Sequence, residues 1–294
     1  MKFKTLKTIT SHPLTEKNKL ATLIRFFKRG VVIRICPYPI LYPFINPAKL
    51  LVEKGMSSAE LQIFTGLYDY HEMLFLLHVL NESDLFVDVG ANVGVYTVLA
   101  SAVKGSRSIC MEPIPDTYKH LLNNIAINHI GDKVKPLNIG VGEKNGQLRF
   151  TKNLNSSLNH VESGDGESPD HILIPVDSLD SLLEKEDPLI IKIDVEGFET
   201  MVINGAKNVL GKNSLKAIII ELNSLSNNYG FDDRDIHEKI IKYGFEPYLY
   251  LPAERTFEKL KSFGDQNTIY IRDIDFFISR VSLSPKYKVL KKWY

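Results

Sequence analysis

The chain has little cysteine, almost no net charge and no long apolar run, and each shortage removes a class of protein. Its two cysteines, Cys36 and Cys110, stand far apart with no CxxC spacing, so neither a disulfide framework nor a thiolate metal site is expected, and a reducing, cytoplasmic setting fits. A formal net charge of +1 leaves no broad basic field to neutralise phosphates, so nucleic acid is not an expected partner. No uninterrupted apolar stretch approaches the roughly 20 residues that span a bilayer, and no signal-like apolar core opens the chain. Internal repeats and low-complexity segments are missing as well.

What is present is a globular composition: 294 residues, 44% hydrophobic and 24% charged, enough for one large domain with an extension. Charge is nevertheless uneven along the chain. Lys2, Lys4, Lys7, Lys17, Lys19, Arg25, Lys28, Arg29 and Arg34 face only Glu16 in the same span, which suits either a solvated face or a basic arm in peripheral contact with an anionic membrane surface or glycan.

The most informative stretch is Leu85-Phe86-Val87-Asp88-Val89-Gly90-Ala91-Asn92-Val93-Gly94, followed by Val95, Thr97, Val98, Leu99 and Ala102. A β-type apolar run passes through two glycines and re-emerges with helical spacing, which predicts a strand, a tight turn and a helix. In such a turn a ligand can approach bare backbone at Gly90 and Gly94 while the first helical amides point at it. An ordinary βα turn with no ligand is the alternative, but Asp88, ending a buried strand, needs a partner. A dinucleotide fingerprint would place glycine at 92 and 95, where the chain has Asn92 and Val95; the run reads D-x-G-x-x-x-G instead.

Around this stretch the pattern alternates strands and helices. Residues 1–30 carry a helical pattern about Leu20, Leu23, Ile24, Phe26 and Phe27; Pro37, Pro39, Pro43 and Pro47 then forbid a regular helix over 31–50. A helix over His71–Leu80, with Met73, Leu74, Leu77 and Leu80 on one face, is expected to close the ligand end. Arg107–Glu112 is a second strand, and Pro115 opens a helix. Glu112, one βα unit after Asp88, is placed where a carboxylate accepts hydrogen bonds from ribose hydroxyls, with a surface salt bridge as the bland account. Val134–Val141 reads as a third strand leading into Gly142. Leu148–Phe150 and Ile172–Val176 read as short paired strands bracketing a polar loop, residues 151–170, whose Asn153, Asn155, Ser156, Ser157, Asn159 and His160 suit hydroxyl-rich ligands. A short helix is expected over Asp177–Glu184. Leu189–Ile193 delivers Asp194, Glu196 and Glu199 within six positions, a concentration costly to leave unpaired. Ala217–Glu221 is the fifth strand, Arg234–Tyr243 a helix, and Phe245–Leu251 with Gln266–Arg272 an antiparallel closing pair.

Taken together, FVDVGANVGVYTVLAS, Met111-Glu112-Pro113, IIKIDVEGFE and IIIEL resemble the FkbM-type S-adenosylmethionine (SAM) methyltransferases over roughly residues 55–272, the Asp-Val-Glu-Gly-x-Glu after the fourth strand being the specific element. Gly55-Met56, Gly66-Leu67-Tyr68-Asp69-Tyr70 and Asn159-His160-Val161 are similar to members that accompany surface-polysaccharide genes. The resemblance implies an α/β, doubly wound, Rossmann-like class I fold: a mostly parallel seven-stranded sheet with a reversed last strand. It divides the chain into an N-terminal arm, 1–54, a methyltransferase domain, 55–273, and a tail, 274–294. The implied activity is transfer of the SAM methyl group to a hydroxyl, on a sugar of a surface polysaccharide, glycan or glycosylated natural product. Cofactor contacts are expected from Asp88, Gly90, Ala91, Asn92, Gly94 and Thr97 of the first unit, then from Glu112, Val141, Gly142 and Asp194.

Methyl transfer from a sulfonium needs alignment and a base near the transition state. His160, by its ordinary pKa and its polar loop, is the first candidate, with a purely structural histidine as its counterpart; Asp194 and Glu196, at the carboxyl end of the fourth strand, are the alternatives. Glu199 either joins them or charges the following helix start. These acids with Glu221 are of a kind that can hold Mg²⁺ or Ca²⁺, but no metal is predicted. His71, His78, His120 and His237 are expected as surface or core residues. Tyr68 and the aromatic 38–44 segment suit either sugar stacking or plain packing. The rival readings are a non-catalytic SAM-fold binding subunit and a dinucleotide-dependent oxidoreductase.

Overall fold

The computed structural model describes residues 2–36, 38–151, 171–264 and 266–294. Two helices, α1 (Lys2–Ser11) and α2 (Lys19–Ile35), precede a hairpin of β1 (Ile40–Pro43) and β2 (Lys49–Val52), then α3 (Ser57–Thr65) and α4 (Tyr70–Val79). The sheet begins with β3 (Leu85–Val89); α5 (Val95–Val98) continues as a wider π-type turn over Leu99–Val103, and β4 (Arg107–Met111), α6 (Pro115–Ile127) and β5 (Val134–Leu137) follow. Next come β6 (Gly140–Gly142), β7 (Gly146–Thr151), β8 (His171–Ser178), α7 (Leu179–Leu182), β9 (Ile190–Ile193), α8 (Glu199–Asn204), α9 (Lys207–Gly211) and β10 (Ala217–Glu221). The chain ends with α10 (Asp233–Lys242), β11 (Glu246–Leu251), β12 (Thr256–Lys259), β13 (Asn267–Ile271), α11 (Ile274–Leu283) and a small terminal hairpin.

The central sheet runs β12-β11-β13-β10-β9-β3-β4-β5. Strands β5, β4, β3, β9 and β10 are parallel, and β13 runs against both β10 and β11. This is the expected doubly wound, mostly parallel sheet, with the reversed strand inserted between β10 and β11. An eighth strand, β12, adds to the seven expected: half-exposed and exposed along its length, it carries no two-sided apolar run by which sequence could announce it.

Period-two alternation sorts the strand residues between two core layers. Leu85, Val87, Val89, Ile191, Ile193, Ile218 and Ile220 face α7–α10, whereas Phe86, Cys110, Ile190 and Ile219 face α3, α4, α6 and α11. Burial on both faces accounts for the continuous apolar runs of these strands. It also makes α4 buried on every side from Glu72 to Val79, rather than along the single stripe its spacing suggested, because α11 and the π-type turn cover its far side.

Two segments depart from the sequence reading. Residues 134–141 form two strands, not one: Asn138 Nδ2 donates to the carbonyls of Glu112 and Pro113 at 2.8 and 2.9 Å, ending β5 and turning Val141 and Gly142 into a separate sheet ordered β6-β8-β7. Over 177–184 the expected short helix is shortened to the single turn of α7, since β8 persists to Ser178, whose side chain caps that turn. The expected pairing of 148–150 with 172–176 is present as β7–β8, antiparallel with Leu148 opposite Ile174.

Both chain ends belong to the main core. Leu50 and Val52 of the hairpin, Phe277 and Val281 of α11, and Val289 beyond it are buried in the same cluster as Phe86. The hairpin is fastened to α6 by side chains, with Asn124 and Asn128 accepting from the Leu51 and Lys49 amides at 2.7 and 2.8 Å.

Candidate active site

Parity fixes what meets at the carboxyl ends of the strands. Asp88 on β3 pairs in register with Lys192 on β9, and both point to the α4 side of the sheet, as do Asp194, two residues beyond Lys192, and Glu221, two residues beyond Ile219. They line a cleft of about 290 Å³ whose walls also include Ser58, Gln62, Tyr68 and Asp69 from α3 and its connection, Tyr96 from α5, and Asn267 from β13. Among the described residues Lys192 is the one cationic side chain lining it, against the carboxylates Asp69, Asp88, Asp194, Glu196 and Glu221.

Lys192 is 3% exposed, and its ammonium donates to Asp194 Oδ2 at 2.7 Å and sits 4.7 Å from the centre of the Tyr96 ring. Burial opposes that charge, but Asp194, Asp88 and Asp69 together outweigh it and raise the Lys192 pKa. Burial likewise opposes ionisation of Asp194, and Lys192 overcomes it, holding Asp194 below the usual carboxylate range. Glu221, pushed up by burial and then by the charge of Asp194, is the protonated partner in the hydrogen bond between them. Asp88 accepts from the Thr97 amide at 3.1 Å and the Thr97 hydroxyl at 2.7 Å, which supplies the partner a buried acid requires. Tyr96 donates to Asp69 at 2.9 Å, and buried Glu72 behind it is raised to about 8, first by burial and then by Asp69. Glu196, in the left-handed region at φ +54°, is raised to about 7 by burial, then by Asp194 and Glu199.

The β3–α5 turn differs from its sequence reading in one respect. Its amides are already engaged: Gly90 and Ala91 both donate to the Met111 carbonyl, at 3.0 and 2.9 Å, and Asn92 donates to Glu112 Oε2 at 2.9 Å. The close approach that glycine permits is made by protein. A Cβ at Gly90 would lie 1.9 Å from the Asp194 carbonyl oxygen, and one at Gly94 would lie 2.5 Å from Leu121 Cδ1. The two glycines thus let the ends of β3 and β9 close together and α6 pack on the turn.

Of the residues singled out from sequence, Asp88, Gly90, Ala91, Asn92, Asp194 and Glu196 line the cleft. Gly94 and Thr97 stand behind the wall. Glu112 is 5% exposed, its second oxygen accepting from the Ile114 amide at 3.0 Å, and burial raises it to about 7. Val141 and Gly142 are buried in the separate sheet. Glu199 turns inward and accepts from the Val195 and Gly197 amides at 3.1 and 3.2 Å, fixing the loop that presents Glu196. His160, with Asn153, Asn155, Ser156, Ser157 and Asn159, lies outside the described residues. Of the other histidines singled out, His71 meets the Tyr250 carbonyl, His78 the Tyr250 hydroxyl and His237 the Tyr270 hydroxyl, and His120 lies 3.6 Å from Glu53. Among the described residues no group of three or more His, Cys, Asp or Glu is arranged to hold a metal ion. Sequence reasoning missed Lys192, although a lysine amid Ile190, Ile191 and Ile193 is itself a signal, because a lysine buried on a central strand must be paired.

The methyltransferase FkbM domain model matches residues 88–247, more than half of the chain and the whole stretch from the first strand acid to the start of β11. The chain belongs to the FkbM methyltransferase family. A relative within reach of sequence comparison is the hexuronic acid methyltransferase AglP of Haloferax volcanii, 29% identical over 165 residues that make up 55% of this chain and 63% of the relative; the chain thus matches somewhat less than two thirds of that protein's length. Among solved structures, this FkbM family member is similar to a precorrin-6y C5,15-methyltransferase of Geobacter metallireducens, with TM-score 0.40, 14% identity and coverage of 78% and 98% of the two chains. It is also similar to TrmK of M. capricolum in complex with S-adenosylhomocysteine, with TM-score 0.37, 10% identity and coverage of 68% and 66%.

Proposed function

We propose that this protein is an O-methyltransferase that uses SAM to methylate a sugar hydroxyl in a glycan. The observation that carries the reading is the cleft at the strand ends, lined by five acidic side chains and one ammonium group. SAM carries a sulfonium, an ammonium and a carboxylate, one net positive charge, and a lining with an excess of acids fits a net cationic ligand; bound there, SAM supplies an already activated methyl group. Family membership supports the same chemistry, and the name of the Haloferax relative points to a sugar acid as one acceptor class.

The chain's own groups then divide the work. Lys192 keeps Asp194 ionised, so that carboxylate contributes negative charge rather than taking a proton. Glu196, raised to about 7, is matched to neutral pH and receives the acceptor hydroxyl proton on its carboxylate. Ser58 and Tyr68, from α3 and its connection, offer hydroxyl groups to a polyol. His160 is the competing base.

Calorimetric titration with SAM and with NAD, followed by transfer of labelled methyl to neutral and uronic sugars, tests the reading. SAM should bind at micromolar levels and NAD should not; binding of NAD alone would establish the oxidoreductase alternative, and SAM binding with no transfer to any sugar would favour a binding subunit. At saturating SAM, Glu196→Gln should lower turnover by about 10²–10⁴-fold. Full activity of that variant with loss in His160→Ala would move the base to His160.

A further inference from the structure

The face of α2 that points away from the domain is apolar. Leu20, Ile24, Phe27, Val31 and Ile35 recur at three- and four-residue steps and so share one side of the helix, where they are 71, 49, 63, 54 and 75% exposed. The opposite side is fully engaged with α3: Thr22 and Arg29 are buried, Arg25 donates to the Phe64 carbonyl at 2.8 Å, Arg29 pairs with Glu60 at 2.8 Å, and Phe26 packs on Phe64. A surface helix ordinarily shows its polar side to water. This one turns polar contacts inward and large aliphatic and aromatic side chains outward.

Charge narrows what can cover that face. Helix α2 contains Lys19, Arg25, Lys28, Arg29 and Arg34 and no acid. At about 100° per residue, the exposed Lys28 and Arg34 lie roughly 60° to either side of Val31, rimming the apolar stripe with positive charge. A second copy of the chain would bring the same basic rims against these, a like-charge contact. An anionic surface with an apolar interior satisfies both features at once. No helix among the described residues is long and apolar enough to cross a membrane, so the geometry is that of a helix lying in the interface.

We propose that α2 docks this protein on an anionic lipid bilayer, inserting Leu20, Ile24, Phe27, Val31 and Ile35 below the headgroups while Lys28 and Arg34 pair with lipid phosphates. The docked helix is held rigidly to the site, because α3 binds α2 through Glu60 and Phe64 and lines the cleft through Ser57, Ser58 and Leu61. Combined with the methyl-transfer reading, on which this one step rests, the arrangement brings the cleft to acceptors carried on lipid. The bilayer contact stands without it.

Sedimentation of the full chain with phosphatidylcholine vesicles, with and without phosphatidylglycerol, tests the proposal. Binding is expected only with phosphatidylglycerol and should weaken with salt. Phe27→Ser with Val31→Ser, and separately Lys28→Glu with Arg34→Glu, should each reduce binding by at least about tenfold, with thermal melting and SAM titration unchanged because these positions are exposed and away from the cleft. Leu283→Ser, at another exposed apolar position, should bind as the parent does. Absence of binding to phosphatidylglycerol vesicles, or equal binding by the α2 variants, overturns the proposal. So does a dimer in light scattering that Phe27→Ser with Val31→Ser abolishes, which would show a second copy on this face. Failure to bind SAM with vesicle binding intact would count against the methyl-transfer reading alone.

Discussion

At Lys192 a single ammonium group faces Asp194, Asp88 and Asp69 in a space where an unpaired charge is costly. Replacing it by methionine leaves those acids without their counter-charge, so Lys192→Met should lower stability by about 3 kcal/mol or more at neutral pH. The loss should shrink on acidification as the carboxylates protonate, and urea denaturation at pH 5 and pH 8 reads both effects. Glu72 gives a second pH signature. Its folded-state pKa, about 8, lies above its ordinary 4.5, so between those values the folded chain binds a proton that the unfolded chain has released. The stabilisation from this group is present below about pH 4.5 and is lost as pH rises to about 8, at roughly 1.4 kcal/mol per pH unit. Glu72→Gln should therefore flatten the decline of stability across that window, a result that chemical denaturation against pH would reveal.

At the level of elements, the β3–α5 turn works through contact between strands. Since a Cβ at Gly90 would meet the Asp194 carbonyl at 1.9 Å and its φ is +77°, Gly90→Ala should cost at least about 3 kcal/mol and should push β9 away from β3. Thermal melting and the loss of SAM binding would report it together. The α2–α3 pair is a different case: Arg29 is 6% exposed and its partner Glu60 is 22% exposed. Glu60→Gln should leave the buried guanidinium poorly compensated and raise amide exchange in α2 selectively, with exchange in β3, β9 and β10 unchanged.

Across the whole molecule, Asn124 joins three parts that are far apart in sequence. Its Oδ1 accepts from Leu51 of the hairpin and its Nδ2 donates to the Val93 carbonyl of the β3–α5 turn, both at 2.7 Å, while its backbone belongs to α6. Asn124→Ala should cost about 2–4 kcal/mol, since one buried and one half-buried backbone group lose their partner, and equilibrium unfolding in urea measures it. The C-terminal segment is tied in similarly. Arg280 of α11 pairs with Asp84 and donates to the Val79 carbonyl at 2.7 Å, holding the end of α4 to the entry of β3.

The sequence by itself determined the alternation of strands and helices, the ranges of β3, β4, β9 and β10 to within a residue or so, and the acids that terminate them, because two-sided burial writes unbroken apolar runs and a strand end writes a charge after them. It also showed the D-x-G-x-x-x-G turn and the failure of the dinucleotide pattern. Tertiary structure alone decided the rest. Whether an acid at a strand end meets ligand, lysine or backbone depends on neighbours brought from elsewhere in the chain: Glu112 is occupied by the Asn92 and Ile114 amides, Glu199 by those of Val195 and Gly197, and Asp194 by Lys192. Residues 134–141 break into two strands because Asn138 binds the carbonyls at the end of β4, and α2 shows its apolar side to solvent because Arg29 and Arg25 found their partners on α3. Local pattern encodes what a segment must bury, whereas a long-range partner fixes where each polar group is satisfied.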